Sequence, residues 1–108
     1  MIAIQTANLT KKYGDIIAIN GVDLEVEAGE IVGCLGPERS GKTTLLRLLT
    51  GLVRPTLGDS TVLGLSSVKE SRKLRAKSGI VTDTAACIGS MSALENLLMF
   101  ASMYGMRK

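Results

Sequence analysis

The 108-residue sequence contains no histidine. No step in its chemistry can therefore use an imidazole as general base, proton shuttle or metal ligand. Aromatic residues make up 3% of the chain, too few to interleave with cations as a nucleic-acid-binding surface requires. Excess charge is also scarce: the formal net charge is +3, with 13 Lys and Arg against 10 Asp and Glu. No apolar run approaches the roughly 20 residues of a membrane-spanning helix. The opening Met1-Ile2-Ala3-Ile4-Gln5 lacks the charged-then-apolar layout of a secretory signal, so the chain is expected to begin and stay in the cytoplasm. Two cysteines, Cys34 in an apolar run and Cys87 in a loop, fit a reducing compartment. Cys34 reads as a small core residue rather than a reactive thiol.

What is present is globular. Hydrophobic residues are 45% of the chain and charged ones 21%, and the length allows one small domain with a modest core.

One stretch organises the rest. Ile31-Val32-Gly33-Cys34-Leu35 is continuously apolar, as expected of a parallel strand buried on both faces. Gly36-Pro37-Glu38-Arg39-Ser40-Gly41-Lys42-Thr43 follows and reads G-x-x-x-x-G-K-T, the phosphate-binding loop. Leu45, Leu46, Leu48, Leu49 and Leu52 then recur at helical spacing with Arg47 on the other side, Gly51 marks the helix end, and Pro55 lies beyond. A helix beginning near Gly41 aims unpaired N–H groups and its positive dipole end into the loop, which favours an anion. Lys42 suits the β- and γ-phosphates, and the Thr43 hydroxyl suits Mg²⁺. The bland alternative is an ordinary glycine-rich turn.

Around that centre, residues 2–6, 16–19 and 22–27 read as strands, with Gly14-Asp15 a turn between the first two. Val22, Leu24 and Val26 alternate with Asp23, Glu25 and Glu27, which predicts an antiparallel strand with one wet face. A turn-rich connector over 54–60 leads to a short strand at 61–63. Ser67 and Glu70 form a capping-box pattern that starts a helix to about Lys77. Its Arg72, Lys73, Arg75 and Lys77 read as a solvated face. Residues 79–82 read as another buried strand, and 83–91 as a loop. Ser92 and Glu95 make a second capping box, opening a helix with Leu94, Leu97, Leu98 and Ala101 on one face that ends near Gly105.

Tyr13-Gly14-Asp15 before a strand, the run from Gly21 to Asp59, Ser92-Ala93-Leu94-Glu95-Asn96-Leu97 and the closing Phe100 to Met106 together resemble the nucleotide-binding domain of an ABC transporter. The resemblance covers essentially the whole chain. It implies a mixed α/β fold: a P-loop NTPase core (about 31–108) preceded by a small antiparallel β subdomain (about 1–30), incomplete at the C-terminus. It implies that Tyr13 stacks on adenine, as a flat π surface suits a base. It implies that Gly36, Pro37, Glu38, Arg39, Ser40, Gly41, Lys42, Thr43 and Thr44 hold the phosphates of ATP, with Mg²⁺ on Thr43.

The chain departs from the family pattern in three ways. Glu38-Arg39 stands where a small polar residue and glycine are usual, and Arg39 would be strained if its φ were positive. Asp83 falls where the family has a Mg²⁺-coordinating glutamine; it keeps a hard oxygen but is shorter and charged. A plain loop-start aspartate is the other reading of Asp83. The family's Walker B aspartate, catalytic glutamate, signature and switch histidine are absent, so the chain is not expected to turn over nucleotide efficiently. The phosphate-loop strand would also lack its neighbour.

The function so implied is ATP binding, with hydrolysis in the complete domain, powering transport across a membrane. A second nucleotide-binding domain and a transmembrane permease would be partners, at the cytoplasmic face of the membrane, with no nucleic acid. Likeness of Pro55 to Leu65 and of the C-terminal stretch to ABC-2-type sequences favours an exporter of drug- or lipid-like compounds. The alternatives are a catalytically incompetent truncated remnant or interaction module, and a recombinase-like DNA-dependent ATPase.

Overall fold

The structure, a computed structural model, describes residues 1–81 and 87–106. The chain divides into two units, Met1–Ser78 and Gly79–Lys108.

The first unit is built on a long hairpin. Strand β1 (Ile2–Tyr13) pairs antiparallel with β2 (Ile16–Glu27) through a turn at Gly14-Asp15. Gly14 takes a left-handed φ of 61°, the requirement for the first central residue of a II′ turn. Where the sequence predicts separate strands at 16–19 and 22–27, the chain runs through as one. Irregularities in the pairing make this possible: Asn8 (φ 51°) and Gly21 (φ 62°) both turn left-handed. The buried Thr10 hydroxyl accepts the Gly21 amide at 3.0 Å and donates to the Asn8 carbonyl at 3.2 Å. A bulge re-aims the strand without ending it.

Strand β3 (Leu57–Val62) joins β1 antiparallel on its other edge, and the short β4 (Leu65–Ser66) completes the order β2-β1-β3-β4. Gly58 (φ 84°) crosses β1 at the Asn8 bulge, where any side chain at 58 would overlap the Asn8 carbonyl. Half of the expected 54–60 connector is therefore strand. The alternation over 22–27 holds: Val26 is buried while Asp23, Glu25 and Glu27 face solvent.

Helix α1 (Lys42–Leu49) covers one face of the hairpin. Leu48 (0% exposed) meets Leu9 and Ile19, with Val22, Leu45 and Val53 packed around them. Burying each such side chain contributes about 1.5–3 kcal/mol. The helix ends in a Schellman motif: the Leu52 amide donates to Arg47 O at 2.9 Å and the Gly51 amide to Leu48 O at 3.2 Å, with Gly51 at φ 77°. Leu46 and Leu52, expected on the apolar stripe, stand about half exposed.

Helix α2 (Ser71–Ala76) is shorter than predicted, and the Ser67–Glu70 capping box does not form as a cap. The Ser67 hydroxyl is instead buried against the Ser60 hydroxyl, and Glu70 Oε1 accepts the Ser66 amide at 3.2 Å. A buried hydroxyl takes the partner that satisfies it, and for Ser67 that partner lies on β3. Arg72, Lys73, Arg75 and Lys77 are all exposed, as a solvated face should be.

In the second unit, α3 (Ala93–Met103) starts with the complete Ser92–Glu95 capping box. Its one buried residue among those described is Asn96, whose side chain clasps the preceding turn. The Asn96 Oδ1 accepts the Ile88 amide at 2.8 Å, and Nδ2 donates to Ile88 O at 3.2 Å and Ser92 O at 2.9 Å.

Two predicted strands do not form among the described residues. Residues 31–35 are irregular and exposed, with Ile31 and Leu35 almost fully so, and 79–81 are likewise irregular, with Val81 exposed. A strand exists by pairing, and among the described residues nothing pairs with either segment. Cys34, expected in a core, is consequently exposed.

Candidate functional site

The loop from Gly36 to Gly41 leads directly into α1, as the pattern requires. Pro37 to Ser40 forms a β-turn, with the Ser40 amide donating to Pro37 O at 3.3 Å. The third residue of that turn is Arg39, at φ 63°. Such a turn calls for glycine there, because a left-handed residue with a Cβ is strained by about 1–2 kcal/mol. The strain anticipated for Arg39 is thus realised. Glu38, Arg39 and Ser40 all point into solvent-accessible space.

Gly41 caps the helix at φ 97° with no side-chain cap. It rests against β2: a methyl at Gly41 would overlap the Ala18 carbonyl oxygen and lie 2.9 Å from Ile19 Cδ1. This contact seats the start of α1 on the hairpin. The first N–H groups of the helix, at Lys42, Thr43 and Thr44, have no intrahelical acceptor and face the loop side. Lys42 turns back over the loop, donating to the Gly36 carbonyl and to the Pro37 carbonyl at 2.9 Å. Its ammonium is therefore already inside the curve of the loop, held by weak neutral acceptors that a phosphate oxygen would outcompete.

The donor set fits a polyphosphate: backbone N–H groups, a helix dipole and one ammonium, with no carboxylate among the described residues hydrogen-bonded to the loop. For Mg²⁺ the fit is thinner. Among the described residues no cluster of three or more acidic, Cys or His side chains exists, so of those residues the loop-adjacent Thr43 hydroxyl is the candidate protein oxygen, and phosphate and water would complete the shell. Asp83 lies outside the described residues.

Tyr13 is the last residue of β1, 44% exposed, and pairs with Ile16. Ala18, which buttresses Gly41, sits two residues along β2 from Ile16, about 7 Å at the usual strand rise. One hairpin thus carries both the candidate base platform and the support of the phosphate loop. Two features were missed in the sequence: the Ala18–Gly41 contact, and Lys11, whose ammonium stands 5.1 Å from the Tyr13 ring centroid. A period-two reading would have put Lys11 and Tyr13 on one face of β1.

A hairpin sheet backed by a helix that opens on G-x-x-x-x-G-K-T defines a P-loop protein of mixed α/β class. The family model described as "ABC transporter" matches residues 19–108, so the chain belongs to the ABC transporter family. It is 38% identical over 104 residues to the "Probable multidrug ABC transporter ATP-binding protein YbhF" of Escherichia coli (strain K12), covering 96% of this chain and 18% of that one. It is 38% identical over 105 residues to the Nod factor export ATP-binding protein I of Rhizobium meliloti (strain 1021), covering 97% of this chain and 31% of that one. A solved dimeric structure of a bacterial ABC transporter cassette superposes with a TM-score of 0.83 at 32% identity, covering 94% of this chain and 47% of that one. The chain therefore spans less than half the length of each of these relatives. Neither the remnant nor the recombinase-like alternative is favoured by such relatives.

Proposed function

We propose that the chain is the N-terminal part of an ABC nucleotide-binding domain: a β subdomain over about 1–30 joined to a P-loop core over about 31–108. Its role is to bind ATP and, in the complete domain, to hydrolyse it to power transport across a membrane. The observation that carries this reading is Lys42, whose ammonium lies inside the Gly36–Gly41 loop at the N-terminus of α1 in a member of this family.

Residues Gly36 through Thr44, by their backbone N–H groups (all but Pro37, which has none) and the Lys42 ammonium, bind and orient the phosphates. Tyr13 would hold the adenine by stacking, and Thr43 would offer Mg²⁺ its hydroxyl oxygen. Mg²⁺, when bound there, would supply charge neutralisation to the phosphates. Glu38 opposes phosphate charge and Arg39 offsets it. Among the described residues no helix is long and apolar enough to cross a membrane. By its family the reading sets the chain at the cytoplasmic face of a membrane, with a permease and a second nucleotide-binding domain as partners. The names of the relatives, one multidrug and one a Nod factor export protein, support an exporter.

The test is equilibrium binding of Mg-ATP to this chain and to Lys42→Ala. Loss of most affinity in the variant is the expected result. Undiminished binding would mean that the phosphates sit elsewhere.

A further inference from the structure

Lys11 and Tyr13 lie two apart on β1 and so share a face. The Lys11 ammonium stands over the Tyr13 ring, 5.1 Å from its centroid, inside the roughly 6 Å range of a cation–π contact. It does not float there. Lys11 Nζ donates to the Arg54 carbonyl at 2.8 Å, and the segment carrying Arg54 is tied to β1 twice more. The Thr56 amide donates to Thr10 O at 2.8 Å, and Thr56 Oγ1 accepts the Lys12 amide at 2.9 Å. The ion pair formed among the described residues joins the Met1 amino group to Glu27, so among those residues Lys11 makes no ion pair with a carboxylate. Its charge is met by one carbonyl dipole and by the π cloud of Tyr13.

We infer that Lys11 is a positioning residue for the base platform, an inference resting on the reading of Tyr13 as the adenine contact. The anchored ammonium occupies one face of the ring, which confines a base to the other face and limits ring rotation. It also draws π density toward itself, leaving the opposite face less electron-rich. An electron-rich purine stacks better on such a face, because the repulsion between two π clouds is reduced. The same lysine thereby orients the ring and strengthens the stack.

The experiment compares binding of ATP with binding of inorganic tripolyphosphate, which lacks a base, both with Mg²⁺ at one ionic strength. The proteins are the wild-type chain, Lys11→Met, Lys11→Arg, Tyr13→Ala and the Tyr13→Ala/Lys11→Met double variant. Lys11→Met keeps the aliphatic stem and removes the charge. It should weaken ATP about two- to five-fold, the span of an exposed cation–π contact, and leave tripolyphosphate unchanged. Lys11→Arg should stay within about two-fold of wild type, since a guanidinium also stacks on a ring. In the Tyr13→Ala background the Lys11→Met change should have no further effect on ATP. Equal weakening of both ligands by Lys11→Met would show a general charge effect and overturn the inference, as would an ATP affinity that Lys11→Met leaves unchanged. Equal loss in the Met and Arg variants would overturn it too. If the wild type bound ATP no better than tripolyphosphate, the assignment of Tyr13 to the base would fail first. If it bound neither, the phosphate site itself would fail.

Discussion

Gly41 meets the carbonyl oxygen of Ala18 so closely that a methyl group on Gly41 would overlap it. This contact joins the first turn of α1 to the hairpin that carries Tyr13 beside its turn. It makes glycine at 41 a requirement of packing as well as of backbone angle, since φ is 97° there.

Gly41→Ala should therefore lower stability by about 2–4 kcal/mol, adding left-handed strain to overpacking against backbone that cannot rotate away. Gly36→Ala is the contrast. Its new methyl would meet Ser40 Oγ at 2.6 Å, a side chain free to turn aside, so the change should cost less than about 1 kcal/mol. Urea unfolding of the two variants checks the difference.

Leu63 and Gly64 connect β3 to β4 with φ values of 54° and 76°. A pair of left-handed residues in a two-residue hairpin loop favours Asn-Gly, and leucine there is strained. Leu63→Asn should raise stability by about 1 kcal/mol, read as a higher urea midpoint at unchanged slope. A lower midpoint would show that the half-exposed leucine contributes more by packing than it costs in strain.

Asn96 is buried and clasps Ile88 and Ser92 through its amide. Asn96→Leu should leave the Ile88 amide without its acceptor, a loss of about 1–3 kcal/mol local to the second unit. Hydrogen exchange at Ile88 should speed up about ten-fold or more, while the amides of Leu9 and Leu48 keep their protection.

Glu95 caps α3 by accepting the Ser92 amide at 3.0 Å, and that bond, with a second from the Ser92 hydroxyl, holds its carboxyl below the ordinary glutamate value of 4.5. A carboxyl whose pKa is depressed on folding stabilises the helix above its unfolded value, and the stabilisation is lost as pH falls through the folded value. Protection of the first-turn amides of α3 should drop on acidification below about 4.5. Glu95→Gln, which can still accept the bond, should flatten that response. An NMR pH titration of both forms reads it directly.

Local chemistry was legible in the sequence wherever the partner lies within a few residues. The loop-to-helix junction at Gly41, the Schellman end at Gly51, the Ser92–Glu95 box and the alternation over 22–27 all involve neighbours in the chain, and each stands where the pattern put it. The same short-range rules misread Ser67, because its hydroxyl had a competing partner at Ser60 across the sheet. They also misread 31–35, since an apolar run announces a buried strand but cannot provide the strand beside it.

By itself, then, the sequence determined the phosphate-loop pattern, the hairpin turn and the caps, because backbone angles and hydrogen bonds within one or two turns depend on adjacent residues. The tertiary structure decided what depends on distant ones: Gly41 against Ala18, Lys11 over Tyr13 and anchored on Arg54, and the bulge at Asn8 that shifts the register of β1 against both its neighbours. Those contacts bring together residues far apart in the chain, and the folded sheet sets their spacing.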